Sequence, residues 1–169
     1  MAQREFYERF AGQILSICRR YVRTTAEAED ILQEGFLKAF MNIKSFRSES
    51  SLLTWLTRIV IRTALNARRQ KFYIISVMDS ELPELENPDP SVFSNLETEQ
   101  LISMIQELPD GSREIFNLYA LEGYSHREIS EMLGISEGTS KSQYSRARFL
   151  LRQKIMKINL SNHYGKAAI

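Results

Sequence analysis

The sequence predicts an all-α protein made of two small helical domains joined by a flexible acidic linker. Apolar residues recur at spacings of three and four before residue 70 and after residue 96, as in amphipathic helices. Between these parts lies a stretch with Pro83, Pro88 and Pro90 among acidic residues, which cannot sit inside a helix and lacks the alternation of a strand. A chain of 169 residues is long enough for two such domains with modest cores.

We place the first domain at residues 1–79, the linker at 80–95, the second domain at 96–157 and a frayed tail at 158–169. The charge follows this division, with a net +5 over residues 1–79, −8 over 80–110 and +4 over 111–169. Two basic blocks around an acidic one are typical of two modules that face the same polyanion. An acidic linker between two ordinary solvated surfaces gives the same pattern, so charge alone favours neither interpretation.

Three helices are predicted in the first domain. Apolar positions from Phe6 to Tyr21 form one amphipathic face. Thr24 and Glu27 match a capping box for a second helix that runs to about Met41. After the polar loop "KSFRSESS", the third helix runs from about Leu52 to Arg69.

The second domain ends in a predicted helix-turn-helix unit. It follows one helix over residues 97–107, stopped by Pro109, and another over about 112–121. Ser125 and Glu128 match a capping box for a short helix, and Gly134 suits the left-handed turn that ends it. Ser136 can cap the last helix. Two short helices joined by a glycine-containing turn form this motif.

The last helix has two different faces at 100° per residue. The face predicted to pack comprises Ser140, Tyr144, Ala147, Leu151 and Ile155. Roughly opposite are Gly138, Thr139, Ser142, Ser145, Arg146 and Phe149, with Lys141, Arg148 and Arg152 on a flank. Small polar residues beside basic ones suit a helix that enters the DNA major groove. A solvated helix that is merely basic is the alternative, and the helix-turn-helix context favours DNA binding.

A second basic stripe lies on the third helix. It consists of Arg58, Arg62, Asn66 and Arg69, spaced by four, four and three. Trp55 stands near its start, after a loop that contains Phe46 and Arg47. Arginines beside aromatic rings are typical of single-stranded nucleic acid binding. A solvated face for the stripe and core packing for Trp55 remain open alternatives.

Enzyme chemistry is not predicted. His126 follows a helix cap, His163 lies in the expected tail, and Cys18 lies at the edge of an apolar face where it serves packing. No metal-ligand spacing, phosphate-binding glycine loop or acid pair is present in the sequence. We therefore expect no catalytic residue, metal, cofactor or small-molecule substrate.

A cytoplasmic location is expected. A lone cysteine excludes an internal disulfide and fits a reducing compartment. No window approaches the roughly 20 consecutive apolar residues that a membrane span needs. The N-terminus is charged where a signal peptide would be apolar.

Two blocks carry a family resemblance. "AEDILQEGFLKAF…FRSESSLLTWLTRIVIRTALNARR" resembles region 2 of the extracytoplasmic-function (ECF) sigma factors, in the sigma-70 family. "LPDGSREIFNLYALEGYSHREISEMLGISEGTSKSQYSRAR" resembles their region 4. The resemblance covers most of residues 6–155, in family order, and implies a dissociable subunit that directs bacterial RNA polymerase to promoters.

The resemblance also implies partners and site residues. Region 2 would dock on the β′ coiled coil of the core polymerase through Asp30, Gln33, Glu34 and Leu37. The promoter −10 element would be recognised and melted by Phe46, Arg47, Ser48, Trp55, Arg58, Arg62, Asn66 and Arg69. The −35 element would be read as duplex by Thr139, Lys141, Ser142, Gln143, Ser145, Arg146 and Arg148. The β flap of the polymerase and an anti-sigma factor, which could hold the chain at the membrane without inserting it, are the other implied partners.

Departures from the family pattern leave the promoter sequence open. Ser140 stands where the family usually has Val, and Gln143 replaces a frequent Arg. Arg62 and Tyr119 stand where some relatives use other contact residues. Two other classes of protein remain as alternatives, a helix-turn-helix regulator that is not a polymerase subunit and an adaptor without DNA activity.

Overall fold

The regular structure consists of helices throughout the described residues. The computed structural model describes residues 2–72 and 98–165, with side chains for 3–67 and 99–158. The first part contains α1 (Ala2–Tyr21), α2 (Thr25–Asn42), a 3₁₀ turn (Ile43–Ser45) and α3 (Leu52–Phe72). The second contains α4 (Thr98–Gln106), α5 (Asp110–Phe116), a π-helical turn (Asn117–Leu121), α6 (His126–Leu133) and α7 (Glu137–Gly165). The all-α prediction is confirmed for these residues, whereas the predicted linker lies outside them.

The chain divides into two compact units, one before and one after residue 79. In the first unit, α1, α2 and α3 pack on one another in all three pairs. Phe6 of α1 meets Phe36 and Phe40 of α2 edge-on, with ring centroids 5.7 Å apart in both pairs. Apolar side chains of all three helices are fully buried between them, which leaves one face of each helix to solvent.

Helices α2 and α3 approach closely at Gly35. A Cβ atom at this position would lie 2.6 Å from Cγ2 of Val60, a side chain that is itself fully buried. The close approach of the two helices, and not the backbone conformation, therefore requires glycine here. The backbone at Gly35 is helical, and any residue can adopt that conformation. This contact fixes the distance at which α3 lies against α2.

In the second unit, α7 packs against α4, α5 and α6. The core of this unit contains Met104, Ile105 and Phe116 from α4 and α5, Leu108 from the turn between them, and Ala147, Leu151 and Ile155 from α7. The predicted packed face of the last helix is confirmed by the burial of these three residues and of Ser140. One side of α7 thus supplies most of its hydrophobic contact, and the other remains available.

The predicted helix signals are confirmed in detail. Both capping boxes are formed, with Thr24 and Ser125 each accepting a backbone N–H from the glutamate three residues later. Gly134 adopts a left-handed conformation with φ 69° and ends α6.

Several helix boundaries differ from the sequence prediction, most clearly those of α5 and α7. Helix α5 begins at Asp110 rather than 112, directly after Pro109, whose fixed φ suits the residue that precedes a first turn. Its continuation to Leu121 widens into a π turn, closed by Glu122 N–H donating to Asn117 O at 3.0 Å. Helix α7 continues to Gly165, past the expected end at 157, because the intervening residues contain neither proline nor glycine.

We expect Gly35→Ala to lower the free energy of unfolding of the first unit by about 1–3 kcal/mol, because the added methyl group overpacks the contact with Val60. Urea unfolding followed by the fluorescence of Trp55, the only tryptophan, measures this. Gly12→Ala is the matched control, since a Cβ there meets nothing within 4 Å. Its higher helix propensity should stabilise α1 by about 1 kcal/mol. Equal effects of the two substitutions would contradict the packing argument.

Candidate nucleic-acid interface

The first turns of α7 present small polar groups and a lysine to solvent. Ser136 caps the helix by accepting the Thr139 N–H at 3.0 Å. Gly138, Thr139, Lys141 and Ser142 are exposed. The Lys141 ammonium lies 3.9 Å from Glu137, in an exposed pair that contributes little to stability. These residues form an exposed, hydrogen-bonding surface, made mostly of small side chains, at the N-terminal end of the helix.

Further along α7, the predicted site residues are less exposed. Ser145 and Arg146 are half-buried. The guanidinium carbon of Arg148 lies 5.6 Å from the ring centroid of Tyr144, in a cation–π arrangement. Burial has the largest effect on the pKa of Tyr144 and raises it, whereas the positive charge of Arg148 lowers it. Arg148 therefore already contacts an aromatic ring of its own unit, which the sequence did not predict.

Gln143 is also held from within the unit. Its Oε1 accepts a hydrogen bond from Ser112 Oγ at 2.6 Å, and Ser112 is fully buried in the first turn of α5. The two residues are far apart in sequence, so no spacing pattern links them. The structure thus places Gln143 on the flank of α7 that adjoins α5, beside the exposed surface defined above.

Ser140 belongs to the packed side, as predicted. Its hydroxyl is 2.9 Å from Nδ1 of His126, at the start of α6. The His126 ring stacks on Tyr119, with centroids 4.2 Å apart and an interplanar angle of 13°. A serine at this buried position is therefore explained by a polar partner across the helix-turn-helix unit, since a buried hydroxyl needs one.

Burial lowers the pKa of His126, and the nearby Lys141 ammonium lowers it further, whereas Glu137 raises it. The neutral imidazole can share one hydrogen bond with Ser140 and keep its stacking on Tyr119. Because the folded pKa lies below the unfolded one, the stability linked to neutral His126 is present above the unfolded value. It is lost as pH falls through the folded pKa.

In the first unit, α3 carries the predicted basic stripe on its exposed face. Arg58, Arg62 and Asn66 are all exposed, whereas Leu56 and Thr63 on another face are buried. The side chain of Arg69 lies outside the described residues. Three of the four predicted stripe residues therefore share one solvent-facing surface of α3.

The loop before α3 brings Phe46 to Trp55. Both rings are half-buried, with centroids 5.4 Å apart. Ser51 caps α3 by accepting the Thr54 N–H at 3.0 Å. Arg47 and Ser48 are exposed, and Ser48 has φ 60°, a left-handed conformation that costs a serine of order 1 kcal/mol. The loop therefore holds a strained backbone beside a partly accessible aromatic pair.

The surface predicted to meet the polymerase lies on α2. Asp30, Gln33 and Glu34 are exposed, and Leu37 keeps 59% of its surface exposed. Met41, one turn further, is 76% exposed. Sequence reasoning did not single out Met41, although its i+4 spacing from Leu37 could have done so. Together they form an apolar pair at the edge of an acidic surface.

The single cysteine of the chain, Cys18, is buried in α1. Burial raises the pKa of the Cys18 thiol to about 12, so the thiol is protonated and unreactive. Within residues 2–72 and 98–165, no group of three His, Cys, Asp or Glu side chains is placed to hold a metal ion. None of the helices described there is both long and apolar enough to span a bilayer.

We expect the pKa of His126 to lie below that of a free histidine. It should rise in Lys141→Ala, because this substitution removes a positive charge that repels the protonated imidazole. NMR of the ring protons against pH measures both. Glu137→Gln is the opposite control, since losing that carboxylate should lower the pKa further. An unchanged pKa in both variants would contradict the assigned causes.

Comparison with known proteins places both units in one family. The family model for sigma-70 region 2 matches residues 6–71, and that for sigma-70 region 4 matches residues 98–150. The ECF RNA polymerase sigma-E factor of Haemophilus influenzae is 32% identical over 160 residues, covering 87% of this chain and 84% of that protein. That of Escherichia coli is 30% identical over 159 residues, covering 87% and 83%.

Solved structures share the fold. The sigma factor RpoE of Bartonella quintana, crystallised with the anti-sigma factor NepR, aligns with a TM-score of 0.56 and 24% identity over 91% of this chain and 98% of that one. The extracytoplasmic function sigma factor SigJ of Mycobacterium tuberculosis aligns with a TM-score of 0.51 and 22% identity, covering 87% of this chain and 52% of that one. The matches to both regions, in order, and the identity to full-length relatives lead to one conclusion: the chain belongs to the sigma-70 family of RNA polymerase sigma factors, in its extracytoplasmic-function group.

Proposed function

We propose that this sigma factor recognises the −35 element through α7 and recognises and melts the −10 element through α3 and its preceding loop. The observation that carries the proposal is that each unit leaves a polar, basic helix face uncovered. Arg58, Arg62 and Asn66 are exposed on α3, and Thr139, Lys141 and Ser142 are exposed on α7. Both faces suit contact with nucleic acid, one with a partly opened strand and one with a duplex.

Recognition of the −35 element would begin at the small residues. Gly138 and Ser142 allow the helix backbone to approach the base edges, and Thr139 and Ser142 can donate or accept hydrogen bonds. Lys141, Ser145 and Arg146 extend this surface towards the sugar–phosphate backbone, with Arg148 behind them. The positive end of the α7 dipole adds attraction for a phosphate.

Melting at the −10 element would use the loop and α3 together. Arg58, Arg62, Asn66 and Arg69 would hold the strand backbone, while Phe46 and Trp55 offer flat faces to an unpaired base. The aromatic pair is only half-buried, so a base could reach it without unfolding the unit. Arg47 and Ser48, on the exposed loop, would contact the extruded segment.

Docking on the core polymerase would use α2. Leu37 supplies exposed apolar area that can be buried against the β′ coiled coil, and Asp30, Gln33 and Glu34 supply polar contacts around it. The second unit would meet the β flap. In this role the chain selects the start site and performs no chemistry, which the polymerase supplies.

Regulation by an anti-sigma factor is supported by relatives. RpoE of Bartonella quintana was crystallised with its anti-sigma factor. We infer that a comparable partner controls this chain in the cytoplasm, where promoters and polymerase are found.

Run-off transcription tests the proposal as a whole. Purified core polymerase is incubated with genomic promoter fragments, with and without the full chain. Specific starts that depend on the chain are expected. Absence of any specific start together with absence of core binding would overturn the proposal, and DNA binding without core binding would instead favour a separate helix-turn-helix regulator.

We expect Lys141→Ala and Arg146→Ala each to weaken −35 binding by about tenfold, because each removes a cationic contact. Binding of the holoenzyme to labelled promoter duplex at several salt concentrations measures this. Arg4→Ala, an exposed arginine of α1 paired with Glu8, is the matched loss of one positive charge. If Arg4→Ala weakens binding as much as the other two, the effect is general charge and the assignment to α7 fails.

We expect Trp55→Ala to preserve closed-complex formation and to block strand opening, because a stacking surface is lost. A fluorescent base analogue in the −10 element reports opening, and duplex binding is measured in parallel. Trp55→Phe keeps a flat ring and should retain part of the opening. If Trp55→Ala loses helical circular dichroism instead, Trp55 is a core residue and its role in melting is rejected.

A further inference from the structure

The side chain of Gln143 has a fixed direction before any DNA is bound. Ser112 Oγ donates to its Oε1 at 2.6 Å, and Ser112 has no exposed surface. Gln143 itself is half-buried, so part of its amide remains accessible. The hydrogen bond therefore ties the oxygen end to the interior and leaves the nitrogen end for other contacts.

The turn that precedes Ser112 is held by hydrogen bonds of its neighbour, Arg113. The buried guanidinium of Arg113 donates through Nη2 to Asp110 at 2.7 Å and through Nη1 to Gln106 O at 2.7 Å. Its backbone N–H also donates to Pro109 O at 2.8 Å. These bonds fix the turn between α4 and α5, and with it the position from which Ser112 donates.

On α7, Gln143 lies between two residues of the proposed −35 surface. Thr139 precedes it by four positions and Arg146 follows by three, so both are its neighbours on the helix. If α7 docks as proposed above, an amide group at this place would reach the same stretch of major groove. The contact between Ser112 and Gln143 therefore bears on what that stretch can read.

A free glutamine reads adenine by donating from nitrogen and accepting at oxygen together. An amide whose oxygen is turned towards the buried Ser112 presents its nitrogen, with two N–H donors, to the outside instead. Resting on the function proposed above, we propose that Gln143 determines specificity at one −35 base pair as a donor-only side chain, with Ser112 as its positioning residue. It favours a base edge with two acceptors, that of guanine N7 and O6, over adenine.

The test is a selection from −35 duplex libraries by holoenzyme that contains the full chain. Wild type is compared with Ser112→Ala, Gln143→Ala and the double variant. At one position the wild type should prefer guanine, and Ser112→Ala should shift the ratio towards adenine by about fivefold, the size of one ordinary hydrogen bond. Gln143→Ala should lose discrimination there, and the double variant should match it.

A merely structural role for Ser112 predicts a different result. Affinity for every duplex would then fall alike, and the loss would add to that of Gln143→Ala. Such a result would overturn the proposal, as would a base preference in Ser112→Ala identical to wild type at every position.

A second readout does not depend on DNA. In the free full chain, the side-chain amide of Gln143 should be ordered in NMR relaxation and become mobile in Ser112→Ala. A mobile amide in the wild type would overturn the proposal even if promoters are recognised. If the wild type selects no sequence at all, both the proposed function and this inference are wrong. If the wild type shows a preference that neither variant changes, only the inference is wrong.

Discussion

One-sided packing of two long helices is the constraint on which the rest of the structure depends. Helix α3 is held by α1 and α2, and α7 by α4, α5 and α6, each through one apolar face. The opposite faces can then carry arginine, asparagine and serine without any cost of burying them. Each unit thereby separates the residues that stabilise it from the polar face that we propose to bind DNA, so substitutions on that face should affect recognition far more than folding.

The second unit adds a polar element to this plan. The guanidinium of Arg113 is fully buried, yet it satisfies the carbonyl of Gln106 at the end of α4 and pairs with Asp110 at the start of α5. Replacing Arg113 by an apolar residue would therefore deprive the Gln106 carbonyl and the Asp110 carboxylate of this donor. It sets the path of the chain into α5, against which α7 is placed. A recognition helix needs such a support because small displacements of its axis change which base edges it reaches.

Local signals were predictable from sequence, and contacts between distant residues were not. Capping at Thr24 and Ser125 and the turn at Gly134 depend on neighbours within four residues, so the pattern contains them. The packed face of α7 followed from helical periodicity, and it includes Ser140. The partner of Ser140, His126, and that of Gln143, Ser112, depend on how helices cross, which periodicity does not specify. The π turn after Phe116 also came only from the structure, whereas Met41 could have been predicted from its i+4 spacing to Leu37.

The buried thiol of Cys18 has a consequence for kinetics. With a pKa of about 12 and no exposed surface, it can be alkylated only in molecules whose first unit has transiently opened. Because the chain has one cysteine, the rate at which Cys18 is alkylated reports on that opening. A partner that stabilises the closed first unit would lower the alkylation rate, and one that separates its helices would raise it. A native residue therefore reports on both kinds of binding.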